Sequence, residues 1–413
     1  MRPVRIGVVG CGGIASGLHL PVISALRDVL ELVAVCDKDQ ALAEQAGRKY
    51  GVKHFTDLER MLAQDVEAVS VLTHAYTHHT LGRAAAEAGK HVLVEKPIAI
   101  TLPCADSLMK ACEKGKVVLE VAENYPFMPM DALINKISRS GRLGRIVAVY
   151  VRDDLNGISL DIGVHRFSQL RQPIQSRPLR VTATVKLPGF ERDEPAMTDR
   201  RFGERFDTHW GRSLVEFEGG AMGVCECFPL MRAASLWAPD YRRVIGSQGI
   251  FSDDLWPNIF PTLPEGHAKL HMLDDGGWRE VAVKKVKASA GRGESLEEII
   301  AHLKPPIAWE SPLRGRRGVH LPPCPEEMAW PRSSWGAWAI AEATIYTQFA
   351  RAVRDGTSPA YGGGQARLDL ELCIATYESE RLGRPVRLPL KGVTPHEKAV
   401  HEEFKIRYGH GPL

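Results

Sequence analysis

Short apolar runs recur through the first third of the chain, and each is followed by a stretch with helical spacing. Val4 to Val9, Leu32 to Cys36, Val66 to Leu72, His91 to Val94 and Val117 to Val121 read as strands. Gly13 to Leu26, Asp39 to Tyr50, Asp57 to Leu62, His79 to Ala88 and Leu102 to Cys112 read as helices. The strands are continuous apolar runs, which suits strands covered on both faces. Strand and helix in alternation predict an α/β domain over residues 1–123, a doubly wound parallel sheet.

The pattern changes after Tyr125. A helix is predicted over Asp131 to Arg139, and strands then dominate: Ile146 to Val151, Leu179 to Leu187, Ser213 to Phe217, Ala221 to Phe228, Tyr241 to Ile245 and Lys269 to Leu273. Gly219-Gly220 between two of these runs is a hairpin turn. An antiparallel sheet follows, and with it an α+β domain over residues 124–413. Residues 288–334 are rich in Pro, Gly and Arg without lasting periodicity, and are expected to form an irregular insertion or lid over the sheet. Helices over Trp335 to Val353 and Gln365 to Leu382 close the domain at 335–382, with Gly356 and Gly383 as stops.

A chain of 413 residues is long enough for two or three domains and a sizeable core. Its net charge of +3 is too small to argue for nucleic acid. No apolar run approaches the roughly 20 residues that span a bilayer, so no membrane partner is expected. Met1-Arg2-Pro3-Val4-Arg5 leads straight into a strand, so no signal peptide is expected either. The eight cysteines are scattered, with no C-x-x-C pair, and read as reduced, mostly buried thiols of a cytoplasmic protein.

The chemistry gathers at strand ends. Gly10-Cys11-Gly12-Gly13-Ile14-Ala15 follows the first strand, and Gly10-x-Gly12-x-x-Ala15 fits the dinucleotide fingerprint in its required context. Gly10 permits the turn, Gly12 lets a pyrophosphate approach the backbone, and Ala15 allows close packing of helix on strand. Asp37 ends the second strand, where a carboxylate binds the ribose hydroxyls of NAD and repels a 2′-phosphate. Lys38 beside it could tolerate that phosphate, but NAD rather than NADP is expected. Thr73-His74-Ala75-Tyr76-Thr77-His78-His79 ends a later strand, and Thr73, His74 and His78 are read as cofactor contacts. Three histidines also raise a metal reading. No carboxylate or cysteine joins them at ligand spacing, so no metal is expected.

Glu95-Lys96-Pro97 stops the strand His91 to Val94. Ligands of open α/β sheets bind at such carboxyl ends. Lys96 there could donate to a substrate oxygen or, with its pKa lowered by burial, take part in proton transfer. A plain salt bridge with Glu95 is the structural alternative. Asp161-Ile162-Gly163-Val164-His165 begins a short helix on which Asp161 and His165 face the same way. Histidine is the usual general acid or base near neutral pH. Asp161 could cap the helix, orient His165 or touch substrate.

Together these residues resemble the Gfo/Idh/MocA family, of the glucose-fructose oxidoreductase and inositol dehydrogenase type. Glu123-Asn124-Tyr125 and Val244-Ile245-Gly246-Ser247-Gln248-Gly249 strengthen the resemblance, as does Glu-Lys-Pro at this position. The family often has Thr-Pro where this chain has Thr73-His74. The resemblance implies a Rossmann domain, then an α+β domain with an open, mostly antiparallel sheet that joins a homodimer or homotetramer. It implies hydride transfer between NAD and a carbinol carbon of a sugar, sugar derivative or cyclitol. Lys96 would bind the substrate hydroxyl, His165 would be the acid/base, and Asp161 would support it or bind substrate. Tyr125 falls among the substrate residues, and Glu95 and Lys96 also border the cofactor. The family's other chemistry is redox-neutral cleavage of glycosides through transient oxidation and β-elimination.

Overall fold

The structure, a computed structural model, describes residues 2–153, 158, 160–186, 210–227, 241–254, 268–288, 295–316, 319–321, 324 and 335–413. The chain forms two units. The first holds Met1–Phe127, Pro312–Leu368 and Phe404–Leu413, and the second holds Met128–Ser311 and Asp369–Glu403. The expected single cut between residues 123 and 124 is therefore replaced by a chain that returns twice to its first unit.

That first unit is built on six strands: β1 (Val4–Val9), β2 (Leu30–Cys36), β3 (Lys53–Phe55), β4 (Ala68–Val71), β5 (His91–Glu95) and β6 (Leu119–Ala122). They lie in the order β3-β2-β1-β4-β5-β6, all parallel. Every residue of β4 and β6 is buried, as the unbroken apolar runs require. The connecting helices are α1 (Leu20–Ala25), α2 (Gln40–Tyr50), α3 (Leu58–Leu62), α4 (Ala75–Glu87) and α5 (Leu102–Gly115). Asp39 caps α2 by accepting from the amides of Ala41 and Leu42, and Asp57 caps α3 through Arg60 N.

Three local expectations change. The first helix does not run evenly from Gly13 to Leu26; a π-helical turn over Ala15–His19 precedes α1. The short β3, too polar to stand out, pairs with β2. Helix α4 starts at Ala75 rather than His79, so the histidine-bearing segment is largely helical.

The later helix α8 (Trp335–Asp355) belongs to the first unit, where it packs against α1 and β1. Its buried side includes Ala339, Ala341, Ala343, Ile345, Tyr346 and Phe349.

The second unit carries α6 (Pro129–Arg139), α7 (Leu160–Ile174) and β7 (Ile146–Asp153). It adds β8 (Pro178–Lys186), β9 (Trp210–Phe217), β10 (Met222–Cys227), β11 (Tyr241–Gly246), β12 (Gly249–Asp254), β13 (Lys269–Asp274) and β14 (Gly277–Val281). With β18 (Val386–Arg387) these form a nine-stranded sheet in the order β14-β13-β12-β11-β7-β10-β9-β8-β18. One pair, β10 with β7, is parallel and the rest are antiparallel. Gly219 and Gly220, both at φ 83°, turn the β9–β10 hairpin as expected.

The segment 288–334 is not irregular throughout. Strands β16 (Ser295–Ala301) and β17 (Ile307–Glu310) join β15 (Val283–Ala288) in a three-stranded antiparallel sheet of the second unit. Residues 289–294, 317–318, 322–323 and 325–334 of this segment lie outside the described residues. Helix α9 (Gly363–Leu382) and α8 end just before Gly383 and Gly356, the expected stops. A last helix, α10 (Pro395–Tyr408), was not expected.

Candidate active site

The glycine loop leaves β1 at its carboxyl end. Gly10 sits at φ 93°, and a Cβ there would lie 2.6 Å from the carbonyl oxygen of Leu72. Only glycine fits that close approach. Gly12 and Gly13 differ, because a Cβ on either would meet nothing within 4 Å. No protein atom explains glycine at these two positions, whereas a pyrophosphate against the backbone does. Ala15 is fully buried behind them, while Ile14 is half-buried. The loop therefore fits the phosphates of a dinucleotide.

Asp37 ties this loop to the end of β2. One carboxylate oxygen accepts from Cys11 N at 2.7 Å and the other from Asp39 N at 2.9 Å. The side chain remains half-exposed, so it can also face a ribose, and Lys38 beside it is exposed. Burial first, then the Asp37 carboxylate, pushes the Cys11 thiol up to about 12, so no thiolate is available in the loop.

The segment after β4 does something different from what its histidines suggest. His78 is 1% exposed, with Nδ1 2.7 Å from the Pro97 carbonyl and Nε2 2.9 Å from the Thr73 carbonyl. His78 is thus a buried brace between two strand-end loops. His79 is buried as well and reaches the Pro412 carbonyl. Thr73 and exposed His74 stay on the accessible side. Tyr76 stacks on His74 at 5.8 Å and on Tyr408 of α10 at 5.0 Å, an aromatic support that no local pattern announces. Among the described residues no group of three His, Cys, Asp or Glu could hold a metal ion.

Lys96 stands half-buried at the end of β5, before a cis bond to Pro97. Glu95 turns inward instead of toward a ligand. It is 7% exposed and gives one oxygen to Lys96 N at 2.7 Å and the other to His19 Nε2 at 2.9 Å. Its expected place beside the cofactor becomes a place beneath the turn that carries Lys96. Tyr125 is buried in a 3-10 turn after β6, its amide donating to Glu123 at 3.2 Å.

In the second unit Asp161 and His165 lie in the first turns of α7, which has 15 residues rather than being short. Their exposures are 7% and 6%. Further along the helix Arg166 is buried against Asp153 of β7 at 2.8 Å and against Gln169 at 2.6 Å. Gln169 donates to Asp131 of α6 at 3.0 Å, and Asp131 also pairs with buried Arg242 of β11. Arg171 forms a two-pronged pair with Asp369 of α9 at 2.9 Å on each arm. The helix that presents Asp161 and His165 is therefore fixed by charge on two sides.

Residues 4–123 match the oxidoreductase family with an NAD-binding Rossmann fold, GFO_IDH_MocA. The chain is 34% identical over 401 residues to a D-apiose dehydrogenase of Paraburkholderia graminis, covering 92% of this chain and 88% of that protein. It belongs to the Gfo/Idh/MocA oxidoreductase family. A myo-inositol 2-dehydrogenase of Thermotoga maritima is 26% identical over 268 residues, which are 61% of this chain and 76% of that one. The WlbA dehydrogenase of Bordetella pertussis, solved with NADH and UDP-GlcNAcA, shares the fold with a TM-score of 0.63. It is 21% identical, over 94% of this chain and all of that one. The first unit of this family member is thus built on an NAD-binding Rossmann fold. No described helix is long and apolar enough to cross a membrane.

Proposed function

We propose that this protein is an NAD-dependent dehydrogenase acting on a carbinol carbon of a sugar, sugar derivative or cyclitol. The observation that carries the reading is Lys96, a half-buried cation at the carboxyl end of β5 in an NAD-binding Rossmann unit. A sugar substrate is favoured by the D-apiose dehydrogenase, whose likeness extends over 88% of its length. NAD, when bound, accepts hydride from the substrate carbon. Lys96 donates a hydrogen bond to the reacting hydroxyl and stabilises its oxygen as the proton leaves. His165 takes that proton, and Asp161, one helical turn away, orients the imidazole or binds a neighbouring hydroxyl. Asp37 holds the adenosine ribose and selects NAD over NADP. Tyr125 and the Thr73-His74 pair border the reacting end.

The reading is tested by supplying NAD with a panel of aldoses including D-apiose, cyclitols and glycosides, and following reduced nicotinamide. Net NADH from a sugar or cyclitol is expected. Release of an aglycone without net NADH would overturn the reading in favour of redox-neutral cleavage.

A further inference from the structure

Beneath Lys96 the first unit buries a cluster of ionisable side chains. His19, in the π-helical turn, is completely buried. Its Nε2 lies 2.9 Å from Glu95 Oε1 on β5. Its Nδ1 lies 2.9 Å from the Tyr346 hydroxyl and 3.2 Å from Glu342 Oε1, both on α8. The hydroxyl of Tyr346 is also 2.8 Å from Ser70 Oγ on β4. Elements far apart in sequence thus converge on one imidazole, and the carboxylate it touches also holds Lys96 N.

The charges around this ring can be counted. Glu95 and Glu342 face His19 directly; Lys96 and His78 act on Glu95, and Glu123 acts on Glu342. Burial opposes every charge, yet Glu342 and Glu95 together hold His19 above its ordinary range. Despite burial, the bond and charge of His19 keep Glu95 below the usual carboxylate range. Burial pushes Glu342 up to about 7. The arrangement is that of one imidazolium matched to one ionised carboxylate, with a second carboxyl carrying a proton near neutrality.

We infer that His19 is a positioning residue for Lys96, acting through the Glu95 carboxylate that touches both. A charged His19 pairs with Glu95, and an ionised Glu95 fixes the Lys96 backbone and stabilises the ammonium charge. This inference rests on Lys96 being the substrate-binding group, but its test needs no turnover.

The test is competitive acetylation of lysines in the full-length protein across an alkaline pH series. Mass spectrometry reads the peptide that holds Lys96, with exposed Lys110 as internal reference. His19→Gln keeps a donor for Glu95 but cannot carry charge. Glu95 stays ionised across an alkaline series with or without the imidazolium, so losing this cation removes a repulsion, and the half-labelling pH of Lys96 is expected to rise by about one unit, tenfold in proton affinity. Glu342→Gln, which removes an anion instead, gives a shift in the opposite sense, and Lys110 does not move. A merely structural role would change labelling at every pH without moving the midpoint. Should His19→Gln fail to fold, Glu342→Gln and ¹⁵N-histidine spectra of the wild type decide, with a charged His19 expected at pH 8. An unmoved Lys96 midpoint in the variants that fold, or a neutral His19 in the wild type, overturns the inference. A shifted midpoint without NADH from any sugar would keep it and sink the dehydrogenase reading instead.

Discussion

Each unit buries a charge cluster, and the two clusters are built from different chemistry. The second unit uses arginine: Arg166 with Asp153, and Arg242 with Asp131 and Asp253. Guanidinium groups do not lose their protons in proteins, so the cations of this cluster keep their charge at any working pH, while burial raises the Asp131 carboxyl above its ordinary value. The first unit uses His19, Glu95 and Glu342, all titratable groups, and burial pushes Glu342 up to about 7. The arginine cluster ties α6 and α7 to the sheet and so fixes the helix that carries Asp161 and His165. The histidine cluster lies under Lys96 and can change its charge. One is a scaffold and the other is adjustable, although both are equally buried.

The largest expected effect comes from breaking the scaffold. Arg242→Ala leaves the Asp131 carboxylate buried beside the Gln169 amide, which donates to it at 3.0 Å, and should cost about 3–5 kcal/mol in urea denaturation. A loss under about 1 kcal/mol would mean that the two clusters do not differ in kind.

Glu342→Gln gives the next effect, and it depends on pH. The folded value of Glu342, about 7, lies above its ordinary 4.5. Between those values the native state binds a proton that the unfolded state has lost. Wild-type stability must therefore fall as pH rises through that window, on the order of 2–3 kcal/mol from this group. His19 is raised too, so its stabilisation is present below its ordinary value and lost as pH passes its folded value, in the same sense. Thermal melts of wild type and Glu342→Gln should run close together near pH 5 and separate toward pH 8, with the variant the more stable there, because Gln mimics the protonated carboxyl. Parallel curves would remove Glu342 from the cluster. Arg166→Lys, by contrast, should lower stability by the same amount at each pH in that range.

A smaller effect is expected at the cofactor face. Asp37→Ala should weaken NAD about tenfold, roughly 1.4 kcal/mol, and NADP less, measured by calorimetric titration. An unchanged preference between the two would remove Asp37 from the ribose.

The parts legible in the sequence were those whose physical cause is local. A glycine loop on a strand, an aspartate ending the next strand and a lysine stopping a later one each declare their place through a few neighbours. The Gly219-Gly220 hairpin and the helix stops at Gly356 and Gly383 are of the same kind. The histidine cluster was not legible, because His19 meets Glu95 and Tyr346 at separations of 76 and 327 residues. Nothing in the apolar spacing of α8 says which sheet it covers, so its return to the first unit could not be foreseen. The partners of His78 were hidden for a related reason. Its place beside a strand end suggested a cofactor contact, while its two carbonyl neighbours become visible only once the Thr73 and Pro97 loops are side by side.

The most direct test of the central claim is single-turnover NADH formation by Lys96→Ala, with NAD binding measured on the same sample. The account predicts NAD affinity within about threefold of wild type, with hydride transfer slowed by roughly a thousandfold or more, about 4 kcal/mol in the transition state. Hydride transfer at near the wild-type rate, with the cofactor bound as tightly, would contradict it.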